Sequence, residues 1–272
     1  MNRIEFTKLI ATGNDFILVD NGRKKVESKV GNLSRFARMV CDRRRSVGAD
    51  GLLSLEGSHK ADIAMRIFNP DGSEANMCGN GLRCIAYYAV DRDITGDKLS
   101  IETKAGILHA VVRRNMAKVE MTQPRDLMTD ISIPMGGEHL KLNFINTGVP
   151  HAVHILRRLD DIDVKKAGKY IRYHKVFAPE GANVDFVRID GRHAISMRTY
   201  ERGVEGETFA CGTGAVASSI IAFELTNVRP PVKVRTFGGD SLRIYFKKEN
   251  GIYKDVYLEG EVKLVFGGEL KI

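Results

Sequence analysis

The chain has 272 residues and a formal net charge of +8, from 42 lysines and arginines against 34 aspartates and glutamates. With 43% hydrophobic and 28% charged residues, the composition is that of a folded globular protein and excludes a largely disordered one. No apolar run approaches the roughly 18 residues of a membrane-spanning helix, and four cysteines in so long a chain exclude a disulfide scaffold.

Short strands dominate the pattern along the chain. In chain order, alternating apolar residues predict strands at residues 4–9, 16–20, 63–68, 108–113, 117–121, 187–189, 194–199 and 262–266. Helices are predicted at residues 33–42, 79–91 and 212–225. Because strands outnumber helices and do not alternate with them, the fold class is predicted to be α+β rather than a doubly wound parallel sheet.

An internal repeat is the most informative feature of the sequence. Residues 65–69 (MRIFN) resemble residues 197–201 (MRTYE), and each segment leads into a cysteine, in Cys78-Gly-Asn-Gly and in Cys211-Gly-Thr-Gly. An apolar run follows each cysteine, and 25 residues after it comes a threonine, Thr103 or Thr236. A weaker similarity links residues 13–16 (GNDF) with residues 183–186 (NVDF).

The repeat length of about 130 residues is far above solenoid periods. We therefore predict two homologous domains, each with one helix against a curled sheet. The predicted N-terminal domain is residues 1–122 and carries Cys78; the C-terminal domain is residues 123–259 and carries Cys211. The join is predicted near residues 122–124, where a strand ends at a proline.

Cys78 and Cys211 each come just before a predicted helix. A thiol there faces the positive end of the helix dipole, which predicts a lowered pKa, and the backbone N–H groups of the first turn form an anion site. A repeated pair of this kind favours a shared site at the domain interface over two small buried side chains. Cys41 and Cys84 lack this context and are predicted to be structural.

Two equivalent thiols on opposite faces of one carbon suit stereoinversion. One thiolate removes a proton from one face, and the opposing thiol delivers a proton to the other. No C-x-x-C pair or H-x-x-x-H motif supports a zinc site, and Gly79-Asn80-Gly81 falls short of a dinucleotide fingerprint. We therefore predict no metal and no cofactor.

The sequence resembles the diaminopimelate epimerase family over nearly its whole length. The motifs that carry the likeness are Gly13-Asn14-Asp15-Phe16, Gly48-Ala49-Asp50-Gly51, residues 68–74 with Cys78–Arg83, Gly148-Val149-Pro150-His151, Gly181-Ala182-Asn183-Val184, and residues 200–208 with 210–214. The resemblance implies cofactor-independent conversion of LL- to meso-diaminopimelate, a step in lysine and peptidoglycan-precursor synthesis. It also implies two pseudo-symmetric domains, each a curled mixed or antiparallel sheet around a central helix, with residues 260–272 returning to the N-terminal domain.

The resemblance also assigns roles to residues. Cys78 and Cys211 would be the two acid–base thiols. The distal amino-acid end of the substrate would be held by Asn14, Asn69, Asn183 and Arg202, and the reacting carboxylate by the backbone of Gly79, Asn80, Gly212 and Thr213. His151 and Glu201 would orient the reacting centre. Three departures from relatives bear on substrate choice: Val149, Gly51 and an extra residue, Glu205.

The alternatives differ in class. A racemase of another amino acid, such as histidine, could use the same scaffold; a thiol redox enzyme would use the two cysteines as an exchanging pair; a basic binding protein would use the net charge. Basic and acidic residues are interleaved, so no nucleic-acid partner is expected. No membrane partner is expected either. The first residues lack the apolar segment of a secretory signal, which predicts a cytoplasmic protein. The expected partner is a small amino-acid substrate. A homodimer would suit such an enzyme.

Overall fold

The structure is a computed structural model that describes residues 3–272. The first two residues of the predicted N-terminal domain lie outside the described residues. The chain divides into two compact units. Unit 1 takes in the chain up to Glu120 together with Glu259–Ile272, and unit 2 is Met121–Leu258.

Unit 1 is a mixed sheet with three α-helices. Its strands are β1 (Arg3–Ala11), β2 (Asn14–Asp20), β3 (Gly51–Glu56), β4 (Ile63–Phe68), β5 (Glu74–Ala75), β6 (Lys98–Thr103), β7 (Gly106–Arg113), β8 (Met116–Glu120) and, from the end of the chain, β18 (Lys263–Lys271). Its helices are α1 (Glu27–Val30), α2 (Leu33–Val40) and α3 (Gly79–Asp91), and a short 3-10 turn lies at Gly22–Lys24.

The strands of unit 1 pair in the order β18–β1–β2–β3–β4–β6–β7–β8, with β5 beside the end of β4. The β2–β3 and β4–β6 pairs are parallel, and the others are antiparallel. The return of residues 263–271 to β1 gives that first strand a partner on its other edge.

Unit 2 has the same plan. Its strands are β9 (Arg125–Met135), β10 (Glu138–Asn146), β11 (Pro150–Ile155), β12 (Asn183–Gly191), β13 (Ala194–Glu201), β14 (Gly206–Thr208), β15 (Val232–Arg235) and β16 (Ser241–Glu249). Strand β17 (Ile252–Glu261) begins in unit 2, and its last three residues belong to unit 1. The helices are α4 (Val164–Arg172) and α5 (Gly212–Leu225), with a 3-10 turn at Lys175–Phe177.

The pairing order in unit 2 repeats that of unit 1. It runs β9–β10–β11–β12–β13–β15–β16, with β14 beside the end of β13, and again only β11–β12 and β13–β15 are parallel. The predicted internal repeat is therefore present in the topology. The weaker similarity is wrong as a repeat: Asn14 begins β2, whose counterpart is β11, whereas Asn183 begins β12, the counterpart of β3.

Helices α3 and α5 are the central helices of their units. α5 is buried without interruption from Gly214 to Ala222, and it contacts strands β10, β11, β12, β13, β15 and β16. α3 likewise contacts strands between β1 and β8. A helix that is apolar on all sides has to be enclosed, and a curled sheet encloses it. The predicted α+β class, with a mixed sheet around a central helix in each half, is confirmed.

Helices α2 and α4 pack by one face only. The buried residues of α4 recur with helical spacing: Val164, Ala167, Gly168 and Ile171. All of them except Gly168 join a hydrophobic core that includes Phe186 and Tyr200. In α2, Leu33, Phe36, Ala37 and Val40 do the same in unit 1. Within residues 3–272 no helix combines the length and apolar character that crossing a bilayer would take.

Candidate active site

Cys78 stands at the start of helix α3 in unit 1. Its backbone is extended (φ −146°, ψ 121°), and its carbonyl accepts the first backbone hydrogen bond of the helix, from the N–H of Leu82 at 2.8 Å. The N–H groups of residues 79–81 therefore come before the first backbone hydrogen bond of the helix. Such groups sit at the positive end of the helix dipole and suit a carboxylate.

A directed chain of side-chain hydrogen bonds supports the first turn of α3. Nη2 of the fully buried Arg83 donates to Oδ1 of Asn80 at 2.6 Å. Nδ2 of Asn80 donates to Oδ1 of Asn14 at 2.6 Å, and Nδ2 of Asn14 donates to Oδ2 of Asp50 at 3.0 Å. Arginine only donates and an ionised aspartate only accepts. The two ends of the chain therefore fix the orientation of both amide groups, and Asn14 and Asn80 lie together.

Asp50 is itself held by ionic contacts. Arg43 donates to Oδ1 of Asp50 at 2.7 Å and to both carboxylate oxygens of Asp15, and Lys8 contacts Asp15 at 2.7 Å. Burial acts to raise the pKa of Asp15, but the hydrogen bonds from Arg43 and Lys8 outweigh it and hold the pKa well below its usual range. Asp15 is therefore an anionic anchor at neutral pH.

Asn69 stands apart from this chain. It lies in the exposed turn between β4 and β5, where its side chain donates to Oγ of Ser73 at 2.9 Å and its backbone N–H to the carbonyl of Ser73. Of the predicted distal-end residues in unit 1, the structure thus brings Asn14 beside the helix start and leaves Asn69 on the neighbouring loop.

Cys211 stands at the start of helix α5 in unit 2 and is 6% exposed. Its Sγ accepts from the N–H of Gly214 at 3.4 Å and lies 3.4 Å from Oγ1 of Thr213. Burial raises the pKa of the Cys211 thiol well above its usual value, and the carboxylates of Glu201 and Asp185 act in the same direction. The prediction that the helix start lowers this pKa is therefore wrong for Cys211.

His151 links Cys211 to a buried carboxylate. The imidazole is 0% exposed, with Nδ1 at 2.7 Å from Oδ2 of Asp185 and Nε2 at 2.9 Å from Oγ1 of Thr213. Thr199 donates to the other oxygen of Asp185 at 2.7 Å. The parallel register of β11 and β12 explains why His151 and Asp185 are neighbours. It pairs His151 with Asn183, the first residue of β12, and Asp185 follows two residues later on the same strand.

The remaining predicted residues of unit 2 surround the same strand ends. Asn183 accepts from the N–H of Arg202 at 2.8 Å, and the guanidinium of Arg202 lies 3.7 Å from Oε2 of Glu180. Glu201 ends β13, and burial raises the pKa of its carboxyl. Gly212 and Thr213 form the first turn of α5. Seven predicted residues of unit 2 thus belong to one cluster: His151, Asn183, Glu201, Arg202, Cys211, Gly212 and Thr213.

A repeated arginine–glutamate pair supports the loop before each cysteine, and sequence analysis missed it. In unit 1, Nε and Nη2 of Arg66 donate to the two carboxylate oxygens of Glu74 at 2.8 and 3.1 Å. In unit 2, Nε and Nη2 of Arg198 donate to the two carboxylate oxygens of Glu207 at 2.6 and 2.9 Å. The signal was available, since both glutamates lie four residues before a cysteine and both arginines occupy the second position of the repeated strand.

The loops that these pairs support differ in length by one residue. Between Asn69 and Glu74 lie four residues, and between Glu201 and Glu207 lie five. Glu205 has a left-handed backbone (φ 55°), and its N–H donates to the carbonyl of Glu201 at 2.8 Å. The added residue is therefore absorbed in a tight turn.

The other two cysteines are core residues. None of the four cysteines, all of which the structure describes, is in a disulfide. Cys84 is fully buried within α3, and Cys41 is 3% exposed; burial raises the pKa of Cys41 to about 12. The described residues 3–272 hold no cluster of three or more histidines, cysteines or acids arranged to bind a metal ion.

Solved structures share this fold at low sequence identity. A phenazine biosynthesis protein of the PhzF family from Bacillus anthracis superposes with a TM-score of 0.77 at 19% identity, covering 100% of both chains. A probable proline racemase from Agrobacterium radiobacter superposes with a TM-score of 0.69 at 18% identity, covering 99% of this chain and 92% of its own. The protein therefore shares its fold with these PhzF-family and proline racemase structures.

Sequence comparison narrows the class to one family. The diaminopimelate epimerase family model matches residues 6–127 and 143–265. A diaminopimelate epimerase from Methanothrix thermoacetophila is 44% identical over 98% of this chain and 96% of its own, and one from Aquifex aeolicus is 42% identical over 98% of both. The chain belongs to the diaminopimelate epimerase family.

The Arg198–Glu207 pair is expected to stabilise unit 2 measurably. Both side chains are only about a fifth exposed, at 20% and 19%, so Arg198→Met leaves a partly buried carboxylate without its partner. We expect the free energy of unfolding in urea to fall by about 1–3 kcal/mol. The matched control is Arg158→Met, whose ion pair with Asp161 is 72% and 62% exposed and should matter by less than about 0.5 kcal/mol. Equal losses in the two variants would contradict the supporting role.

Glu201 is expected to make stability fall as pH rises. Because burial raises the pKa of its carboxyl in the folded protein, the folded state binds the proton more tightly than the unfolded chain. The stability is then fully present below the unfolded pKa and is lost as pH rises through the folded pKa. We expect Glu201→Gln to melt at a higher temperature than the wild type at pH 8, and at the same temperature at pH 4. Identical melting temperatures at both pH values would refute the shift.

Proposed function

We propose that this chain epimerises diaminopimelate, interconverting the LL and meso isomers. It is an isomerase of the type that works without pyridoxal phosphate, and the reaction places it in the synthesis of lysine and peptidoglycan precursors. The observation that carries the proposal is the pair Cys78 and Cys211, each at the start of the central helix of its unit, in a chain of this family.

The proposed reaction needs one thiolate and one thiol. The thiolate removes the α-proton of the substrate and becomes a thiol, leaving a carbanion-like centre. The opposing thiol gives its S–H proton to the other face of that carbon and becomes a thiolate. The carbanion carries charge onto the substrate carboxylate, which preorganised N–H groups stabilise. The N–H groups of Gly79 and Asn80, and of Gly212 and Thr213, are proposed for this role.

The proposed roles of the other site residues follow the chemistry of their side chains. Asn14, Asn69, Asn183 and Arg202 hold the second amino-acid end of the substrate, and the guanidinium of Arg202 suits its carboxylate because arginine can bind one with two parallel hydrogen bonds. Glu201 and His151 orient the reacting centre from beside Cys211. Glu201 would do so by accepting from the α-amino group.

A two-thiol reaction at one carbon also has a consequence for the domains. We propose that residues 1–122 with 260–272, and residues 123–259, are the two domains, and that the substrate binds at their interface. The support is chemical: both thiols must reach one α-carbon, and Cys78 and Cys211 belong to different halves of the repeat. Ligand sites commonly lie between domains.

A racemase for another amino acid, such as histidine, is not favoured. The relatives at 44% and 42% identity, which match nearly the whole chain, are named diaminopimelate epimerase. We also propose that the protein acts in the cytoplasm on a free amino acid, with neither metal nor cofactor.

The direct test is proton exchange in deuterium oxide, followed by NMR, with LL-diaminopimelate and a reductant but no added cofactor. Wild type should lose the α-proton signal and form the meso isomer. Cys78→Ala and Cys211→Ala should each abolish epimerisation, because each lacks one of the two required groups. Cys41→Ala is the matched control, since Cys41 is a buried thiol with no place in the reaction, and it should keep the activity.

Two results would overturn the proposal. Exchange by wild type with histidine, lysine or glutamate but not with diaminopimelate would make the substrate wrong. Full epimerisation by either cysteine variant would make the two-thiol reaction wrong.

We further propose that the enzyme is a homodimer. Sedimentation equilibrium on the purified chain of 30.2 kDa should then return twice that mass at micromolar concentration. A species of 30.2 kDa at all concentrations would contradict it.

A further inference from the structure

The orientation of hydrogen bonds around His151 follows from groups whose roles are fixed. The backbone N–H of Arg202 can only donate, and it meets Oδ1 of Asn183 at 2.8 Å. Nδ2 of Asn183 must therefore be the donor to its other neighbours. These are the carbonyl of Pro150 at 3.3 Å, which can only accept, and Nε2 of His151 at 3.4 Å. Two backbone groups thus settle the amide of Asn183.

The imidazole of His151 is settled in turn. Asp185 is acceptor-only as a carboxylate, and it lies 2.7 Å from Nδ1, so Nδ1 carries a proton. Nε2 faces the N–H of Asn183, so it is the unprotonated acceptor of a neutral ring. The hydroxyl of Thr213, 2.9 Å from Nε2, therefore donates its hydrogen to His151.

This leaves one arrangement for the thiol. With its own hydrogen turned toward His151, Oγ1 of Thr213 offers a lone pair to Sγ of Cys211 at 3.4 Å. The resting chain of donors then runs from the Cys211 S–H to Thr213, from Thr213 to His151, and from His151 to Asp185. All four side chains belong to unit 2.

We propose that the Thr213 hydroxyl relays the Cys211 proton to His151, with Asp185 as the positioning residue that holds the imidazole. In this step the S–H bond of Cys211 breaks as Thr213 Oγ1 accepts the proton, and the original O–H proton of Thr213 passes to Nε2 of His151. The products are a thiolate and an imidazolium whose charge faces the Asp185 carboxylate. No electrons are exchanged with any other group, and the reverse step restores the thiol.

The first turn of α5 is shaped for this arrangement. A Cβ atom at Gly214 would lie 2.5 Å from Oδ1 of Asp185, so only glycine lets the carboxylate pack so closely against the helix. The N–H of Gly214 also donates to Sγ of Cys211 at 3.4 Å, which stabilises a thiolate. The Asp185 carboxylate therefore packs directly against the backbone of Gly214.

The relay rests on the proposed function and explains how a buried thiol can serve it. Cys211 is surrounded by the carboxylates of Glu201 and Asp185, and burial opposes release of its proton to water. A neutral imidazole one hydroxyl away accepts that proton without moving it into solvent. Cys211 can then act as the base toward the substrate, and the α-proton that it takes up restores the thiol.

The test compares Thr213→Val, which keeps the shape but removes the hydroxyl, with Thr213→Ser, which keeps the hydroxyl. For Thr213→Val we expect kcat to fall by about 10²–10³-fold in both directions, the range of general acid–base catalysis. KM should change by less than about threefold, because the backbone N–H of residue 213 is kept. Thr213→Ser should restore kcat to within about tenfold of wild type.

Two kinetic results would overturn the relay. If Thr213→Val keeps kcat within about threefold of wild type, or if Thr213→Ser is as defective as Thr213→Val, the hydroxyl carries no proton. The kcat values of both variants are compared with that of wild type. If wild type itself is inactive on diaminopimelate, the proposed function fails, and the relay is then judged by the NMR measurement described next.

That measurement is ¹⁵N NMR of the histidine rings in substrate-free protein, with the His151 signals assigned through His151→Gln. We expect the neutral ring with its proton on Nδ1 in wild type. Asp185→Asn should shift the ring toward the other tautomer or a mixture, since an amide can donate as well as accept. A wild-type ring protonated on Nε2 alone would overturn the proposal, whatever the activity.

Discussion

The burial of a helix that begins at a cysteine is the constraint on which each unit depends. Helix α5 is enclosed on all sides by its sheet, so its first turn presents backbone N–H groups and a thiol inside the protein. Buried polar groups are costly unless they have partners. In unit 2 the partner of the thiol is Thr213, in the same first turn of the helix. The surrounding strands supply His151 for the Thr213 hydroxyl and Asp185 for the imidazole.

Both units meet this constraint with hydrogen-bond chains that have a fixed direction. In unit 1 the chain starts at Arg83, which only donates, and ends at Asp50, which accepts. In unit 2 the backbone N–H of Arg202 fixes Asn183, and the carboxylate of Asp185 fixes His151. Amides and imidazoles are otherwise ambiguous in orientation. A fixed orientation at both ends makes each first turn a single, preorganised arrangement, which is what stabilising a developing charge requires.

The sequence predicts the helices best where burial is most complete. It predicts the two central helices at 79–91 and 212–225, and the structure confirms both, because an apolar run after a glycine-flanked cysteine has few other solutions. Helix α4 was missed although Asp163 caps it and its apolar residues recur at helical spacing. The hairpin of β9 and β10 was missed because its residues are largely exposed. Asp185 was missed because its partner His151 lies 34 residues away in sequence. The Arg–Glu pairs were missed although the repeat carries both members of each pair.

The wrong expectation about Cys211 shows which physical effect dominates. The dipole at a helix start favours an anion by about 0.3–1 kcal/mol at the surface and at most about 2 kcal/mol in partly buried sites. Removing an anion from water costs several kcal/mol even after the protein relaxes. Glu201 and Asp185 add negative charge nearby. The helix dipole is therefore too weak to lower the pKa of the Cys211 thiol. A thiol so placed becomes a useful base only if its proton has an acceptor inside the protein. In the proposed relay that acceptor is His151, which is reached through the Thr213 hydroxyl.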